Sequence, residues 1–121
     1  MNVQRMNRLI GDLERLAGLF SSLDVQADEV AELKQSERNR LHSLSSDFQQ
    51  YADAIKKIVP NGNTFDVTWV FQKILSESRM IHDTEIFEKF SIWRADGEPL
   101  LESVDNISYA ELSVLSNTDR H

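Results

Sequence analysis

Apolar residues recur on a seven-residue spacing through the first half of this chain. With Met6 at position a, the a and d positions stay apolar over eight heptads, except where Lys34 and Glu37 occupy them. A repeat held in one phase over this length predicts a long helix whose apolar stripe packs on other helices. The large residues of this stripe, which we expect to form an oligomer interface, are Met6, Leu9, Leu13, Leu16, Phe20, Leu23, Val30, Leu41, Leu44, Phe48, Tyr51, Ile55 and Ile58.

The predicted helix is long because no strong helix breaker interrupts the stripe. The first proline is Pro60, where the sequence PNGN is typical of a turn. We therefore predict one continuous coiled-coil or bundle helix over residues 1–59, about 85 Å long from Val3 to Val59 at about 1.5 Å per residue. Such a rod cannot bury its own stripe. We expect the chain to self-assemble rather than to form a compact monomer.

The flanking heptad positions indicate how many helices surround the stripe. Ile10 occupies position e, and Leu19 and Leu33 occupy position g, where a two-stranded coiled coil usually carries opposite charges. The stripe is therefore wider than the seam between two helices. This width favours a three- or four-helix bundle, or an antiparallel helical hairpin.

One heptad interrupts the stripe with charged residues, and it has two interpretations. If the helix continues, Lys34 and Glu37 form a polar layer that determines register and the number of helices. If the segment KQSERNR is instead a turn, the flanking helices fold back on each other. The unbroken heptad phase and the absence of Gly, Pro and Asp from this segment favour the continuous helix.

A turn at residues 60–64 is predicted to separate the long helix from a small acidic domain at residues 65–116. This domain begins with a second helix that carries Val70, Phe71 and Ile74 on its apolar face. The separation predicts two parts with different roles, one for assembly and one for a partner.

The end of the chain is less regular. Residues 86–104 fit either a short helix or two strands joined at a turn, so the predicted fold class is mainly α with a small helical or α+β region. Ser108 and Glu111 have capping-box spacing, which predicts a short final helix. Residues 117–121 are predicted to form a loose tail.

Charge is unevenly distributed along the chain. The formal net charge is −7, of which −1 falls on residues 1–60 and −6 on residues 61–121. An acidic second half repels nucleic acid and anionic membranes, and it attracts a basic partner protein. The 121 residues include no cysteine, the first residues lack a signal-peptide core, and no apolar run is long enough to cross a membrane. We therefore expect a cytoplasmic protein without disulfides.

The sequence contains no pattern that indicates a catalytic, metal or cofactor site. His82, Asp83 and Glu85 lie close together, but they lack the i, i+4 spacing that puts two metal ligands on one helical face. No serine lies in a nucleophile-elbow setting, and no two glycines are close enough for a phosphate-binding loop. We therefore predict no enzymatic activity, no metal and no cofactor.

These observations favour a protein–protein interaction module. The leading hypothesis is a non-enzymatic oligomeric adaptor or structural subunit that assembles through its heptad helix. The first alternative is a small acidic chaperone or inhibitor that binds a partner protein. The second alternative is a DNA-associated regulator that uses the arginines of the first half, although nine acidic residues at positions 1–60 argue against a nucleic-acid footprint.

Overall fold

Helices make up nearly all of the structure, a computed structural model that describes residues 3–27, 33–58 and 68–119, with side chains as far as Val114. The elements are α1 (Val3–Gln26), α2 (Gln35–Ile58), α3 (Thr68–His82), a 3₁₀ helix (Glu85–Lys89), a π-helical turn (Trp93–Gly97) and α4 (Glu98–Asp119). The described ranges contain no strand, which confirms the mainly α prediction. The alternative of two strands within residues 86–104 is wrong, because the 3₁₀ helix, the π-helical turn and α4 occupy that segment.

The continuous helix predicted over residues 1–59 is wrong. α1 ends at Gln26, and α2 begins at Gln35. The two helices pack side by side, with the rings of Phe20 and Phe48 5.3 Å apart. Each helix has 24 residues and so a length of about 36 Å, whereas the nine residue steps between them reach at most about 32 Å. A connection this short requires the antiparallel arrangement, which is the helical hairpin.

The charged heptad forms the start of α2. Lys34 immediately precedes the helix, and its backbone N–H donates to Oε1 of Glu37 at 2.9 Å. A glutamate at the third helical position that accepts this N–H is one half of a capping box. The continuous-helix interpretation is therefore corrected, because Lys34 and Glu37 lie at the start of a new helix. The second interpretation is correct in that the flanking helices fold back on each other, but the segment KQSERNR is helical from Gln35 onward and is not itself the turn.

We expect Glu37→Ala to lower the free energy of unfolding by about 1 kcal/mol, because the amide of Lys34 loses its acceptor at the start of α2. Glu37→Gln is the matched control, since a glutamine side chain can accept the same hydrogen bond. Urea denaturation of both variants measures the difference. Equal stabilities of the Ala and Gln variants would show that the cap contributes nothing.

One apolar core joins both halves of the chain. Buried residues of α1 and α2 form a single cluster with Phe71 and Ile74 of α3 and with Leu101 and Val104 of α4. The apolar face predicted for the second helix is thus confirmed at Val70, Phe71 and Ile74. The turn predicted at residues 60–64 lies outside the described residues.

Aromatic rings form the centre of this core. The Phe20 ring on α1 is fully buried and lies 5.3 Å from Phe48, 5.9 Å from Phe87 and 5.5 Å from Trp93, measured between ring centroids. These partners belong to α2, the 3₁₀ helix and the π-helical turn. Phe20 therefore links α1 to three other elements of the fold.

The last helix is longer than the sequence predicted. α4 runs from Glu98 to Asp119, so Ser108 and Glu111 lie within it and do not cap its start, and the predicted loose tail begins inside the helix. Both side chains are buried, and Oε1 of Glu111 pairs with the Arg5 guanidinium of α1 at 2.8 Å.

A second polar contact joins the same two helices. The Ser103 hydroxyl on α4 donates to Oδ2 of the buried Asp12 on α1 at 2.7 Å. α1 is therefore held on one side by α2 and on the other by α4. None of the helices in the described part of the chain combines the length and the apolar character needed to cross a lipid bilayer.

Candidate functional site

A cleft of about 400 Å³ opens between the end of α3, the 3₁₀ helix and the first half of α4. α3 ends at His82. Just beyond this end, the Thr84 hydroxyl donates to the Met80 carbonyl oxygen in the last turn of the helix at 2.6 Å. The 3₁₀ helix that follows buries Ile86 and Phe87 and leaves Glu88 exposed. This short turn therefore supplies both an apolar floor and a charged rim.

The floor of the cleft is aromatic. Phe87 and Trp93 line it, with ring centroids 4.8 Å apart and planes tilted by 39°. Trp93 belongs to the π-helical turn, where Gly97 lies against its ring: a Cβ on Gly97 would come within 2.2 Å of Trp93 Cε3. The glycine thus allows the indole to fold back over its own helix and towards the core.

The rim of the cleft is acidic. Glu98, Glu102 and Asp105 follow i, i+4, i+7 spacing and so lie on one face of α4. Glu88 adds a fourth carboxylate from the 3₁₀ helix. We call this site the acidic cleft and define its rim by Glu88, Glu98, Glu102 and Asp105. Four carboxylates around one depression create a negative potential that attracts cations.

Asp105 connects the acidic cleft to α3. Its Oδ2 accepts from the buried Ser78 hydroxyl at 2.5 Å and lies 3.5 Å from Nε2 of His82. Its Oδ1 is buried and has no hydrogen-bond donor within the described ranges. Burial raises the pKa of the Asp105 carboxyl above its ordinary value, while the contacts with Ser78 and His82 act in the opposite direction.

Ser78, His82 and Asp105 do not form a nucleophilic relay. Such a relay requires histidine between the serine and the carboxylate, so that imidazole takes the hydroxyl proton. Here the serine and the histidine contact the same carboxylate oxygen, and Ser78 is only 2% exposed. Among the described residues, no three His, Asp or Glu side chains converge as metal ligands. The arrangement favours binding of a cationic group.

The residues predicted as an oligomer interface lie inside one chain. Along α1 and α2, the predicted residues from Met6 to Leu23 and from Leu41 to Ile55 are each no more than 6% exposed, and Ile58 is partly buried against the same core. Side chains covered in this way by their own chain do not need a second copy to bury them, so the stripe by itself gives no reason to expect an oligomer. Val30 lies outside the described residues.

The two residues predicted to set register, Lys34 and Glu37, lie at the start of α2, where Lys34 is exposed and Glu37 is half-buried. They are remote in sequence from the carboxylates of the acidic cleft, and the structure gives them a local capping role. The arginines of α1 engage carboxylates: Arg8 and Arg15 lie 3.9 and 3.5 Å from the oxygens of Asp12.

The acidic cleft is not evident from the sequence alone. Its clearest signal was the spacing of Glu98, Glu102 and Asp105, which becomes informative only if the segment is helical. Allowing strands over residues 86–104 concealed this signal, because i, i+4 residues share a helix face. The contribution of Glu88 required knowledge of how the 3₁₀ helix packs.

No protein family, no curated protein and no solved structure gives a significant match to this chain. The fold and the site therefore define the class of protein by themselves: an acidic helical bundle with an aromatic-floored, carboxylate-rimmed cleft.

Proposed function

We propose that this protein is a non-enzymatic protein-binding module that receives a basic segment of a partner protein in the acidic cleft. The observation that carries this proposal is the position of four carboxylates around an aromatic floor. The uneven charge of the chain supports it, because −6 of the net −7 falls in the half that forms the cleft. Electrostatic attraction of this kind accelerates association and selects partners of opposite charge.

The chemistry of the cleft favours an arginine or lysine side chain as the inserted group. A guanidinium forms two parallel hydrogen bonds with a carboxylate and packs its flat face on aromatic rings. Glu98 and Glu102 supply carboxylates one helical turn apart, and Phe87 and Trp93 supply aromatic surface. Oδ1 of Asp105 supplies an acceptor to which no described residue donates a hydrogen bond.

The size of the cleft limits what it can hold. A volume of about 400 Å³ lies near the lower end of small-ligand sites, which span about 300–1,000 Å³. This space suits one long side chain with part of its backbone. The exposed carboxylates at the rim would then contact neighbouring basic residues of the same segment.

The test uses a synthetic peptide of alternating arginine and leucine. A second peptide, with glutamate in place of every arginine, is the negative probe. Fluorescence anisotropy at low and high salt measures binding to the purified chain. We expect the arginine peptide alone to bind, and we expect Glu98→Lys combined with Glu102→Lys to weaken that binding at least about tenfold. The affinity should also fall with salt, since exposed charges are screened.

The matched control places the same charge change elsewhere. Asp24→Lys combined with Asp53→Lys alters the α1–α2 hairpin, and both double variants carry a formal net charge of −3 in place of −7. We expect this control to retain most of the affinity. Equal weakening by the two double variants would show that net charge alone attracts the peptide. Absence of binding at low salt would reject the proposal.

An adaptor, a chaperone and an inhibitor would share this mode of contact. They differ in what happens to the partner once it is bound: an inhibitor abolishes its activity, a chaperone keeps it from aggregating, and an adaptor leaves it active. The self-assembling version of the adaptor hypothesis loses its basis, because the heptad stripe is buried within one chain.

A further inference from the structure

A second polar cluster lies between α2 and α3, away from the acidic cleft. The Tyr51 hydroxyl on α2 donates to Oε1 of Glu77 on α3 at 2.9 Å. Tyr51 is only 6% exposed, and its ring packs edge-on against Phe48 at 5.7 Å. The phenol is therefore fixed by the core, and it holds one oxygen of the Glu77 carboxyl in place.

The other oxygen of Glu77 lacks a donor. Oε2 is buried and has no hydrogen-bond partner among the described residues, yet the Asp47 side chain lies within hydrogen-bonding reach of the Glu77 carboxyl. Two ionised carboxylates have no hydrogen to share and repel each other. One added proton would satisfy the buried oxygen and turn the repulsion into a strong hydrogen bond.

We propose that Asp47 and Glu77 share a proton that fastens α3 to α2, and that α3 loosens when this proton is lost as pH rises towards neutrality. The titratable and charged groups that face Glu77 from α2 are Asp47, Tyr51 and Arg40. On the α4 side of α3, Ser78 and His82 contact Asp105 instead. The Asp47–Glu77 pair is therefore a contact specific to the α2–α3 interface.

The electrostatic environment supports this assignment. Burial raises the pKa of Glu77 from its ordinary value of 4.5 to about 7, and the hydrogen bond with Asp47 acts in the same direction. The hydrogen bond from Tyr51 and the positive charge of Arg40 oppose this rise in pKa. Burial and the contact with Glu77 also raise the pKa of Tyr51, so the phenol keeps its proton as a donor.

The direction of the pH effect follows from linkage. The folded state binds the Glu77 proton more tightly than the unfolded chain, in which the pKa is near 4.5. The resulting stabilisation is complete below about pH 4.5 and declines as pH rises to about 7, above which it is lost. The proposal therefore predicts a looser α3 on the alkaline side of neutrality.

The first measurement is the pKa of Glu77 itself, obtained from the carboxyl ¹³C chemical shift of the intact chain. We expect a midpoint near 7 rather than near 4.5. Amide hydrogen exchange at acid and alkaline pH, corrected for the intrinsic pH dependence of exchange, then reports the opening of each helix. Protection of α3 should fall about tenfold on the alkaline side, because solvent screens part of the interaction of the partly exposed Glu77.

Two variants separate the shared proton from simple packing. Glu77→Gln can donate an amide hydrogen to Asp47 at every pH, so we expect α3 to stay protected and to lose its pH response. Asp47→Asn removes the second carboxyl but leaves Glu77 buried, so we expect a smaller pH response than in the wild type, and this variant serves if the first does not fold. Glu85→Gln, at an exposed site on the 3₁₀ helix, is the control and should keep the wild-type response. A Glu77 midpoint near 4.5, a pH response that survives in Glu77→Gln, or a response of wild-type size in Asp47→Asn would overturn the proposal.

Discussion

Replacing Phe20 with alanine is expected to lower the free energy of unfolding by about 3–5 kcal/mol. The ring is fully buried and meets Phe48, Phe87 and Trp93. Truncation removes the transfer energy of the ring and leaves a cavity that three separate elements would have to close. A loss of this size is a large part of the total stability of a small domain, which is about 5–15 kcal/mol.

Urea denaturation followed by far-UV circular dichroism measures this loss. Val25→Ala is the control, since Val25 lies on the same helix and is 74% exposed, and it should change stability by less than about 0.5 kcal/mol. The wild-type midpoint should not depend on protein concentration, because one chain buries its own stripe. A midpoint that rises with concentration would indicate an assembled seam.

Gly97→Ala is expected to destabilise the protein by about 2–3 kcal/mol, although alanine is the better helix former. Its Cβ would lie 2.2 Å from Trp93 Cε3 and 2.6 Å from Cδ2. The indole cannot move freely, because it is 3% exposed and stacked on Phe20 at 5.5 Å. The backbone of the π-helical turn or the aromatic centre of the core must therefore shift.

The fluorescence of Trp93 reports this shift when Trp69, which is half exposed, is replaced by phenylalanine. We expect the emission to move to longer wavelength as the indole meets water. Gly18→Ala is the matched control, because a Cβ there has no heavy atom within 4 Å beyond its own helix and chain neighbours. It should stabilise the helix by up to about 1 kcal/mol. If both glycine variants gained stability, the tight approach at Gly97 would be refuted.

The sequence predicted that the first half of the chain is helical, but it did not predict the break between α1 and α2. Periodicity identified the buried faces of α1 and α2 because burial on a helix repeats every three to four residues. The stripe also keeps its heptad phase across the break, although the connection between two packed helices does not require this, so the phase gave no sign of the break. Without Gly or Pro near Lys34, the only local mark of a helix start was Glu37, whose role depends on an unusual lysine at the cap position.

The acidic cleft was harder to predict because it depends on two irregular segments. The 3₁₀ helix places Glu88 at the rim of the cleft beside α4, and the π-helical turn places Trp93 at the floor of the cleft. Segments of this kind are short and lack a strong periodic signal. The shared core was missed for a related reason: periodicity shows that a face is buried but does not show which element covers it.

The position of α1 between α2 and the last helix has a consequence for biosynthesis. A nascent chain can pair α1 with α2 as soon as the hairpin has emerged, because these helices are neighbours in sequence. The partners of Asp12 and Arg5, however, are Ser103 and Glu111 on α4. One side of α1 therefore stays uncovered until α4 has been synthesised. During synthesis the α1–α2 hairpin therefore exposes apolar surface to water. A chain truncated before α4 keeps that surface exposed and is prone to aggregate.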